Sequence, residues 1–325
     1  TLTGQGLIKF SRTITNHFYN NELGTDEDYV IYIDTDSIFA SALPLVKHRY
    51  PNENVNSKPM MTKRILSIAS ELQEYLNNSY NYFAEKFCNI KEHKFEIKQE
   101  VIGISGLFIA KKRYGMKVIN DNGVEVNKMM VKGIDTVRSN FPKACGKLLK
   151  EVLDDVLANV PKEKIDERIL NFKSSMNTMP IDNISMPTGV KSLKKYVERK
   201  TKNQTFSTFK SGAPVHVKSA VNYNDLLLHF EISKQYLYIS SAEKIRWVYL
   251  TKNPLGIESL AYKGYEDPKE ILQYIRNYID YDKMYDKNLH RKIMMFYEAM
   301  AWSKPVDKNF TLERFFWLKY FIIQW

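Results

Sequence analysis

The segment from Tyr29 to Ala40 constrains the fold more than any other part of the chain. Two apolar runs rich in β-branched and aromatic residues flank the polar sequence Asp-Thr-Asp-Ser at residues 34–37, which predicts a β-hairpin with carboxylates at its turn. Two acids separated by one residue repel each other at neutral pH unless a cation lies beside them. Carboxylate oxygens are the ligands that Mg²⁺ prefers, so the pattern favours a metal site. The alternative is a polar β-turn whose acids bind nothing.

A second segment, residues 106–115, sets three consecutive cations and a tyrosine into an apolar run. The run predicts one strand in which Lys111 and Arg113 share a face. Lys112 and Tyr114 then share the opposite face. Cations on both faces of an apolar strand are costly to bury without partners, and a polyanion lying across the sheet is such a partner. The alternative is a charged strand at a solvated edge of the sheet.

These two segments resemble motifs of the family B DNA polymerases, in particular the replicative polymerases of T-even-type bacteriophages. Residues 32–37 are similar to the palm motif Tyr-Gly-Asp-Thr-Asp-Ser, with isoleucine in place of glycine, and residues 111–114 match the motif Lys-Lys-x-Tyr. Further similarities follow in the family's order, at residues 132–139 (the junction of palm and thumb) and 212–224 (a thumb segment). The resemblance runs from residue 1 to about residue 310.

The resemblance implies an α+β fold with two domains. Residues 1–133 would form the C-terminal part of a polymerase palm, a mixed or antiparallel sheet with helices on one face, and residues 134–325 a mainly helical thumb. The chain would then be the C-terminal half of a DNA-directed DNA polymerase. The family's first catalytic aspartate, fingers helix and exonuclease domain lie upstream of these motifs, so we expect no activity without an N-terminal polymerase half. The alternative is a non-catalytic DNA-binding remnant or accessory subunit.

For catalysis, the resemblance assigns two acids to the metal site. Asp36 matches the aspartate that bridges two Mg²⁺ ions, and Asp34 matches a neighbouring acid close to them. Two ions roughly 4 Å apart serve nucleotidyl transfer from a dNTP to the primer. Glu100 matches an auxiliary carboxylate near the metals, with a solvated strand acid as the alternative, and Glu96 is a weaker candidate. Ile33 departs from the family's glycine and restricts the backbone beside the acids.

For primer-template DNA, the resemblance assigns the cationic motif and the junction that follows it. Lys112 matches the lysine that reaches the primer terminus through the minor groove. Lys111, Arg113 and Tyr114 would hold the adjacent backbone or shape the strand. At the junction, Arg138 and Ser139 match positions that approach the primer backbone.

A basic cluster in the second part of the chain includes Lys191, Lys194 and Lys195. Its density predicts sequence-independent binding to phosphates with a steep salt dependence, and a solvated helix face is the alternative. The net charge of +11 agrees with a polyanionic partner. Residues 1–133 hold 17 basic and 15 acidic side chains, so most of the excess positive charge lies beyond residue 133.

Near the C-terminus, Leu312, Phe315 and Phe316 have the spacing of a clamp-binding peptide, an aliphatic residue followed by two aromatic ones on one helical turn. The resemblance supports a sliding clamp as a partner, because related phage polymerases end in a comparable aromatic tail. The alternative is that this segment packs on the thumb or on the missing half, since residues 317–325 are also apolar.

Cysteine usage and hydropathy indicate the cellular compartment in which the protein is expected. Cys88 and Cys145 form neither a metal-ligand spacing nor a disulfide framework. No apolar run reaches the length of a membrane span, and no signal peptide is visible. We therefore expect a cytoplasmic protein, located in the host cell if it is phage-encoded. Its expected partner is DNA, and no membrane association is expected.

Hydrophobic periodicity and turn signals predict the element order. Helices are predicted at 5–23, 61–88, 142–158, 162–176, 268–280 and 284–301. Strands are predicted at 29–33, 37–42, 94–102, 106–119 and 124–131, with possible short strands at 214–221 and 245–250.

Overall fold

The structure, a computed structural model, describes residues 2–54, 57–135, 140–198 and 206–305. The chain divides into two compact units, Thr1–Gly133 and Ile134–Trp325. Both units contain helices and small antiparallel sheets, so the chain has the predicted α+β fold.

In its described residues, the first unit has two long helices, a two-stranded hairpin between them, and a three-stranded sheet at its end. β1 pairs with β2, and β4 lies between β3 and β5, all antiparallel. The elements are α1 (Leu2–Leu23), β1 (Val30–Asp34), β2 (Ser37–Ala40), α2 (Leu43–Arg49), α3 (Lys58–Cys88), β3 (Val101–Ala110), β4 (Arg113–Asp121) and β5 (Val124–Lys132).

The core of the first unit lies where α1, α2 and α3 meet. Tyr19 of α1, Leu45 and Val46 of α2 and Ile68 of α3 are buried against one another. Buried side chains recur every four residues along α1 up to Tyr19, and this spacing brings helical side chains onto one side of the helix. Burial raises the pKa of the Tyr19 phenol to about 12, so the ring enters the core in its neutral form.

One prediction in this unit is wrong: residues 106–119 are not a single strand. Ala110 and Arg113 face each other across a two-residue turn at Lys111 and Lys112, so β3 and β4 form a hairpin. The turn contains no glycine, asparagine or proline, which are the residues that mark turns in a sequence. Contacts from residues that are distant in the sequence but belong to the same unit hold this turn in place instead.

The predicted strand at 94–102 is also only partly present. Residues 93–100 alternate between half-buried and exposed, as a strand does, but no strand of the described chain pairs with them before Val101. The predicted turn between the following strands is present at Asn122 and Gly123, where Gly123 has a φ of +83°.

The second unit packs helices around a three-stranded sheet in which β7 lies between β6 and β8. Its elements are α4 (Lys143–Leu157), α5 (Lys162–Ser175), α6 (Ile181–Ile184), β6 (Met186–Gly189), α7 (Leu193–Tyr196), α8 (Val215–His229), β7 (Lys244–Tyr249), β8 (Ser259–Tyr262), α9 (Lys269–Tyr278), α10 (Tyr281–Tyr285) and α11 (Arg291–Ala299). The last two are joined by a π-helical turn at Asp286–His290. In the part of the chain that the structure describes, no helix has the length and apolarity needed to cross a membrane.

Proline sets the start of several helices in this unit. Among the described residues of this unit, five helices begin directly after a proline, which fixes φ near its helical value and has no N–H to leave unpaired. These prolines are Pro142, Pro161, Pro180, Pro214 and Pro268.

The possible strand predicted at 214–221 is wrong, because this segment forms the first turns of α8. Valines at alternate positions favour a strand locally, but Val217, Ala220 and Val221 are buried with the spacing of one helical face of α8. Tertiary packing overrides the local preference.

Arg49 of α2 joins its own helix to α1 and α3. Its guanidinium donates to both carboxylate oxygens of Glu22, at 2.5 and 2.7 Å, and to Glu71 at 2.9 Å. These bonds hold the pKa of Glu22 below its usual value, although partial burial opposes that shift. A carboxylate with a lowered folded-state pKa adds stability above its unfolded pKa and loses that contribution as the pH falls.

We expect Arg49→Met to lower the free energy of unfolding by about 1–3 kcal/mol, because Glu22 is left partly buried without its partner. The difference from the unsubstituted chain should shrink as the pH falls through about 4.5 and below, where Glu22 becomes protonated. Urea unfolding at several pH values measures both effects.

Lys47→Met is the matched control, since Lys47 is an exposed cation on the same helix. Equal stability of the two variants at neutral pH would contradict the role given to Arg49.

Candidate functional site

The predicted acids lie at the turn of the β1–β2 hairpin. Asp34 pairs with Ser37, so Thr35 and Asp36 form the turn. The Asp34 carboxylate accepts from the Thr35 hydroxyl at 3.1 Å, and the Ser37 hydroxyl donates to the Asp34 carbonyl at 3.1 Å. Within the described residues, the exposed Asp36 carboxylate has no hydrogen-bond or ion-pair partner, which leaves both of its oxygens available to a ligand.

The turn itself is strained. The Asp36 N–H donates to the Asp34 carbonyl at 2.6 Å, closing a three-residue turn, and the φ of Thr35 is +52°. A β-branched residue at positive φ is an outlier, and such conformations cost about 1–3 kcal/mol. Surrounding structure must offset that cost, and it then fixes where the carboxylates point.

The β3–β4 turn contains a second strained residue, Lys112, with a φ of +61°. The backbone N–H of Lys112 donates to the hydroxyl of Tyr32 at 2.6 Å. Tyr32 lies on β1, two residues before Asp34, so this bond links the cationic turn directly to the strand that carries the acids.

Four aromatic rings join the two hairpins. Tyr32 faces Phe39 across β1 and β2, and Phe108 faces Tyr114 across β3 and β4. All six distances between the ring centroids lie between 5.3 and 6.1 Å. Aromatic pairs at such separations contribute roughly 0.5–1.5 kcal/mol each beyond the burial of their area. We call these four rings the aromatic cluster.

The cluster brings a cation and an acid close together. The Lys112 ammonium lies 4.0 Å from a carboxylate oxygen of Asp34, and 64% of the lysine side chain is exposed against 19% for Asp34. An ion pair this open contributes little to stability, so Lys112 remains free to leave Asp34 for another anion. Burial, with the charge of Asp34 as a second cause, raises the pKa of the Tyr114 hydroxyl, which therefore stays a neutral hydrogen-bonding group.

Gly133, directly after β5, supports the cationic turn from its other side. Its φ is +67°, and a Cβ at this position would overlap the carbonyl oxygen of Lys112. Only glycine allows so close a backbone approach. The turn is thus held by Tyr32 at its N–H and by Gly133 at its carbonyl.

A cavity of about 1100 Å³ lies beside the acids and is lined in part by Asp36 and Glu100. Glu100 is exposed at the end of the unpaired segment, and its carbonyl accepts from the N–H of Asn122 at 2.6 Å. Glu96 is exposed in the same segment and also lines the cavity. Glu96 forms an ion pair with Lys98 at 3.2 Å, which makes it the weaker candidate ligand.

The donor set fits Mg²⁺ only in part. Asp34 and Asp36 supply the carboxylate oxygens that this ion prefers. Among the described residues, however, no group of three or more acidic, histidine or cysteine side chains is placed to hold a metal ion. Asp34, Asp36 and Glu100 therefore remain predicted ligands, and a complete site needs further oxygen donors.

The other predicted residues are spread more widely. Lys111 is exposed in the turn, and Arg113 is exposed at the start of β4. In the second unit, Lys191 is exposed before α7, and Lys194 and Lys195 are exposed on that helix. Arg138, Ser139, Leu312, Phe315 and Phe316 lie outside the described residues.

Sequence reasoning missed Phe39 and Phe108 as parts of the site. The two-residue turn at the acids places Tyr32 opposite Phe39 by simple counting along the hairpin, so one aromatic pair was predictable. The second pair was not, because the pairing of β3 with β4 shifts by one residue between Phe108 and Ala110.

Comparisons with known proteins agree with these motifs. The family model described as DNA polymerase family B matches residues 5–300. The DNA-directed DNA polymerase of Escherichia phage RB69 is 29% identical over 179 residues, which cover 48% of this chain and 18% of the relative. The chain thus matches less than one fifth of that relative's length.

Replacing Gly133 tests the support of the cationic turn. Gly133→Ala should destabilise the first unit by more than the roughly 1–3 kcal/mol cost of a positive φ alone, because the methyl group meets the Lys112 carbonyl. Gly123→Ala is the control, since Gly123 also has a positive φ but has open space around it. Hydrogen exchange of the β3 and β4 amides measures the difference, and equal effects of the two substitutions would rule out this contact.

Proposed function

Because the chain belongs to DNA polymerase family B, we propose that it contributes one carboxylate edge and part of the primer-template grip to a DNA-directed DNA polymerase. The observation that carries the proposal is the packing of the Asp34–Asp36 turn against the Lys112 turn through the aromatic cluster. It brings the two motifs of the family together, although 74 residues separate Asp36 from the start of the second motif at Lys111.

In this proposal Asp36 and Asp34 hold Mg²⁺, with Glu100 as an auxiliary carboxylate. When bound, two such ions would activate the primer 3′-hydroxyl and offset the charge of the dNTP phosphates. Asp36 is exposed, and no cation of the described residues competes for its carboxylate; both observations support this role. The strained turn supports it as well, because a turn held in a rare conformation is already arranged before a ligand arrives.

Lys112 would contact the primer terminus. Its exposed ammonium and weak pairing with Asp34 allow it to exchange that acid for an acceptor on the DNA. Lys111, Arg113 and Tyr114 would hold the neighbouring backbone, together with Arg138 and Ser139. In the second unit, Lys191, Lys194 and Lys195 would add contacts to phosphates, for which their exposure is suitable.

Further polypeptide completes the enzyme in this proposal. Residues 1–133 would be the C-terminal part of a palm and residues 134–325 a thumb, while an N-terminal half would supply the first catalytic aspartate, the fingers and the exonuclease. The limited carboxylate set of the described residues supports this division. A sliding clamp bound through Leu312, Phe315 and Phe316 and a location in the host cytoplasm belong to the same proposal.

The second candidate function is DNA binding without catalysis. The uneven charge favours it, because the excess of basic side chains lies mainly beyond residue 133. Retention of both Asp34 and Asp36 favours the polymerase, since acids beside phosphates weaken a purely electrostatic grip.

Primer extension tests the polymerase directly. The chain, together with the polypeptide that carries the N-terminal half, should extend a primer in the presence of Mg²⁺ and dNTPs. Asp36→Ala should lower the extension rate by about 100-fold or more, as expected when a group that stabilises transition-state charge is lost. Binding of primer-template DNA should persist.

Asp26→Ala is the control, because Asp26 is an exposed acid in a loop of the same unit. Extension that survives Asp36→Ala would show that the active site lies elsewhere. DNA binding without extension in any variant would favour the second candidate function.

A further inference from the structure

Four aromatic rings form a patch on the surface of the first unit, where α1 packs beside the C-terminal end of α3. The rings belong to Phe10 of α1 and to Tyr82, Phe83 and Phe87 of α3. Phe10 and Phe87 each contact the other three rings, with centroids 5.2–6.4 Å apart. We call these four rings the surface patch.

Two rings of the surface patch are exposed, although both are large and apolar. Tyr82 is 56% exposed and Phe87 is 66% exposed, whereas Phe83 beneath them is buried. The ring planes of Phe83 and Phe87 are 24° apart, so the exposed ring is stacked on a fixed one. Exposed apolar groups that lie together mark interaction sites, and rings already held in place lose little entropy when they bind.

Four exposed lysines accompany the surface patch along the chain. Lys9 and Lys86 each directly precede one of its rings, and Lys91 and Lys94 follow the end of α3. Lys86 forms an ion pair with its neighbour Glu85 at 3.3 Å. In the part of the chain that the structure describes, the other three lysines have no acidic side chain within ion-pair distance. These ammonium groups are therefore available to an anionic partner.

The charge of the first unit is concentrated at this place. Residues 9–10 and 82–95 together hold four lysines and two glutamates, an excess of two positive charges. Residues 1–133 as a whole hold 17 basic and 15 acidic side chains, which is the same excess. The remainder of the unit is thus balanced, and its net attraction for an anion lies beside the exposed rings.

Rings together with lysines favour nucleic acid over protein as the partner. Protein–protein interfaces are enriched in aromatic residues but depleted of lysine. Proteins that bind single-stranded nucleic acid combine cations, which contact the phosphates, with aromatic side chains on which the bases stack. A duplex offers the phosphates but covers the faces of its bases.

We infer that the surface patch binds a single strand of nucleic acid, with bases stacked on Tyr82 and Phe87 and phosphates beside the lysines. The inference goes beyond the proposed function, in which primer-template DNA contacts the Lys112 turn and basic side chains of the second unit. It does not need catalysis or an N-terminal half, so it is testable on the chain alone.

Photocrosslinking tests where the strand binds. The chain is mixed with an oligothymidylate of about 12 nucleotides, a usual site size, in which iododeoxyuridine replaces some of the thymidines. Irradiation should attach the strand to Tyr82 or Phe87, which mass spectrometry of the digested protein identifies. Crosslinks at other residues only would overturn the inference. A blunt duplex with the same base should not crosslink to these two rings, and equal crosslinking by the duplex would also overturn it.

Substitution by leucine tests whether the ring faces are used. Tyr82→Leu and Phe87→Leu keep an apolar side chain but remove the stacking surface, so each should weaken oligothymidylate binding by about fivefold or more. Binding is measured at raised salt, which weakens purely electrostatic contacts elsewhere on the chain. Leucine variants that bind as tightly as the unsubstituted chain would overturn the inference.

Two matched variants are the controls. Tyr82→Phe keeps the ring and should bind like the unsubstituted chain. Tyr265→Leu removes a similarly exposed ring from the second unit, at 57% exposure, and should also leave binding unchanged. Circular dichroism checks that the variants are folded, and the crosslinking result decides for any variant that is not.

Two further ligands identify the partner. An anionic lipid surface also binds apolar rings flanked by lysines. Phosphatidylglycerol vesicles that bind more tightly than oligothymidylate, and equally well to the leucine variants, would overturn the inference and assign the patch to a membrane. Oligouridylate is compared with oligothymidylate in the same assay. Binding of either strand at the two rings upholds the inference, and the tighter one identifies the partner as RNA or DNA.

Discussion

The contact of four aromatic rings between two hairpins is the interaction on which the candidate site depends. Tyr32 and Phe39 come from the hairpin that carries the acids, and Phe108 and Tyr114 come from the hairpin that carries the cations. The two hairpins share no strand pairing within the described residues, so the rings are the main link between them. A change in ring packing would move the acids and the cations relative to each other.

This link explains how the first unit maintains two strained turns. Thr35 and Lys112 both have positive φ, and each conformation costs of the order of 1–3 kcal/mol. The aromatic cluster and the hydrogen bond from the Lys112 N–H to the Tyr32 hydroxyl offset that cost. Both turns are therefore ordered in advance, which is the arrangement that the proposed site for charged ligands requires.

The sequence predicted the acid hairpin because its signals are local: apolar alternation, a polar turn and strand-forming residues within twelve positions. It did not predict the turn at Lys111 and Lys112, whose support comes from Tyr32, 79 positions before Lys111, and from Gly133. Valine spacing indicated a strand at 214–221, whereas burial selected a helix. The roles given to Asp34, Asp36 and Glu100 and the division into palm and thumb stay predictions.

A double-mutant cycle on Phe39 and Phe108 tests most directly whether the rings couple the two hairpins. Each phenylalanine is replaced by leucine, singly and together, and hydrogen exchange of the β1–β4 amides gives the local free energy of opening. We predict a coupling of about 0.5–1.5 kcal/mol, the range of aromatic pairs in contact. Additive effects, with coupling near zero, would show that the hairpins are held independently and would contradict this account of the site.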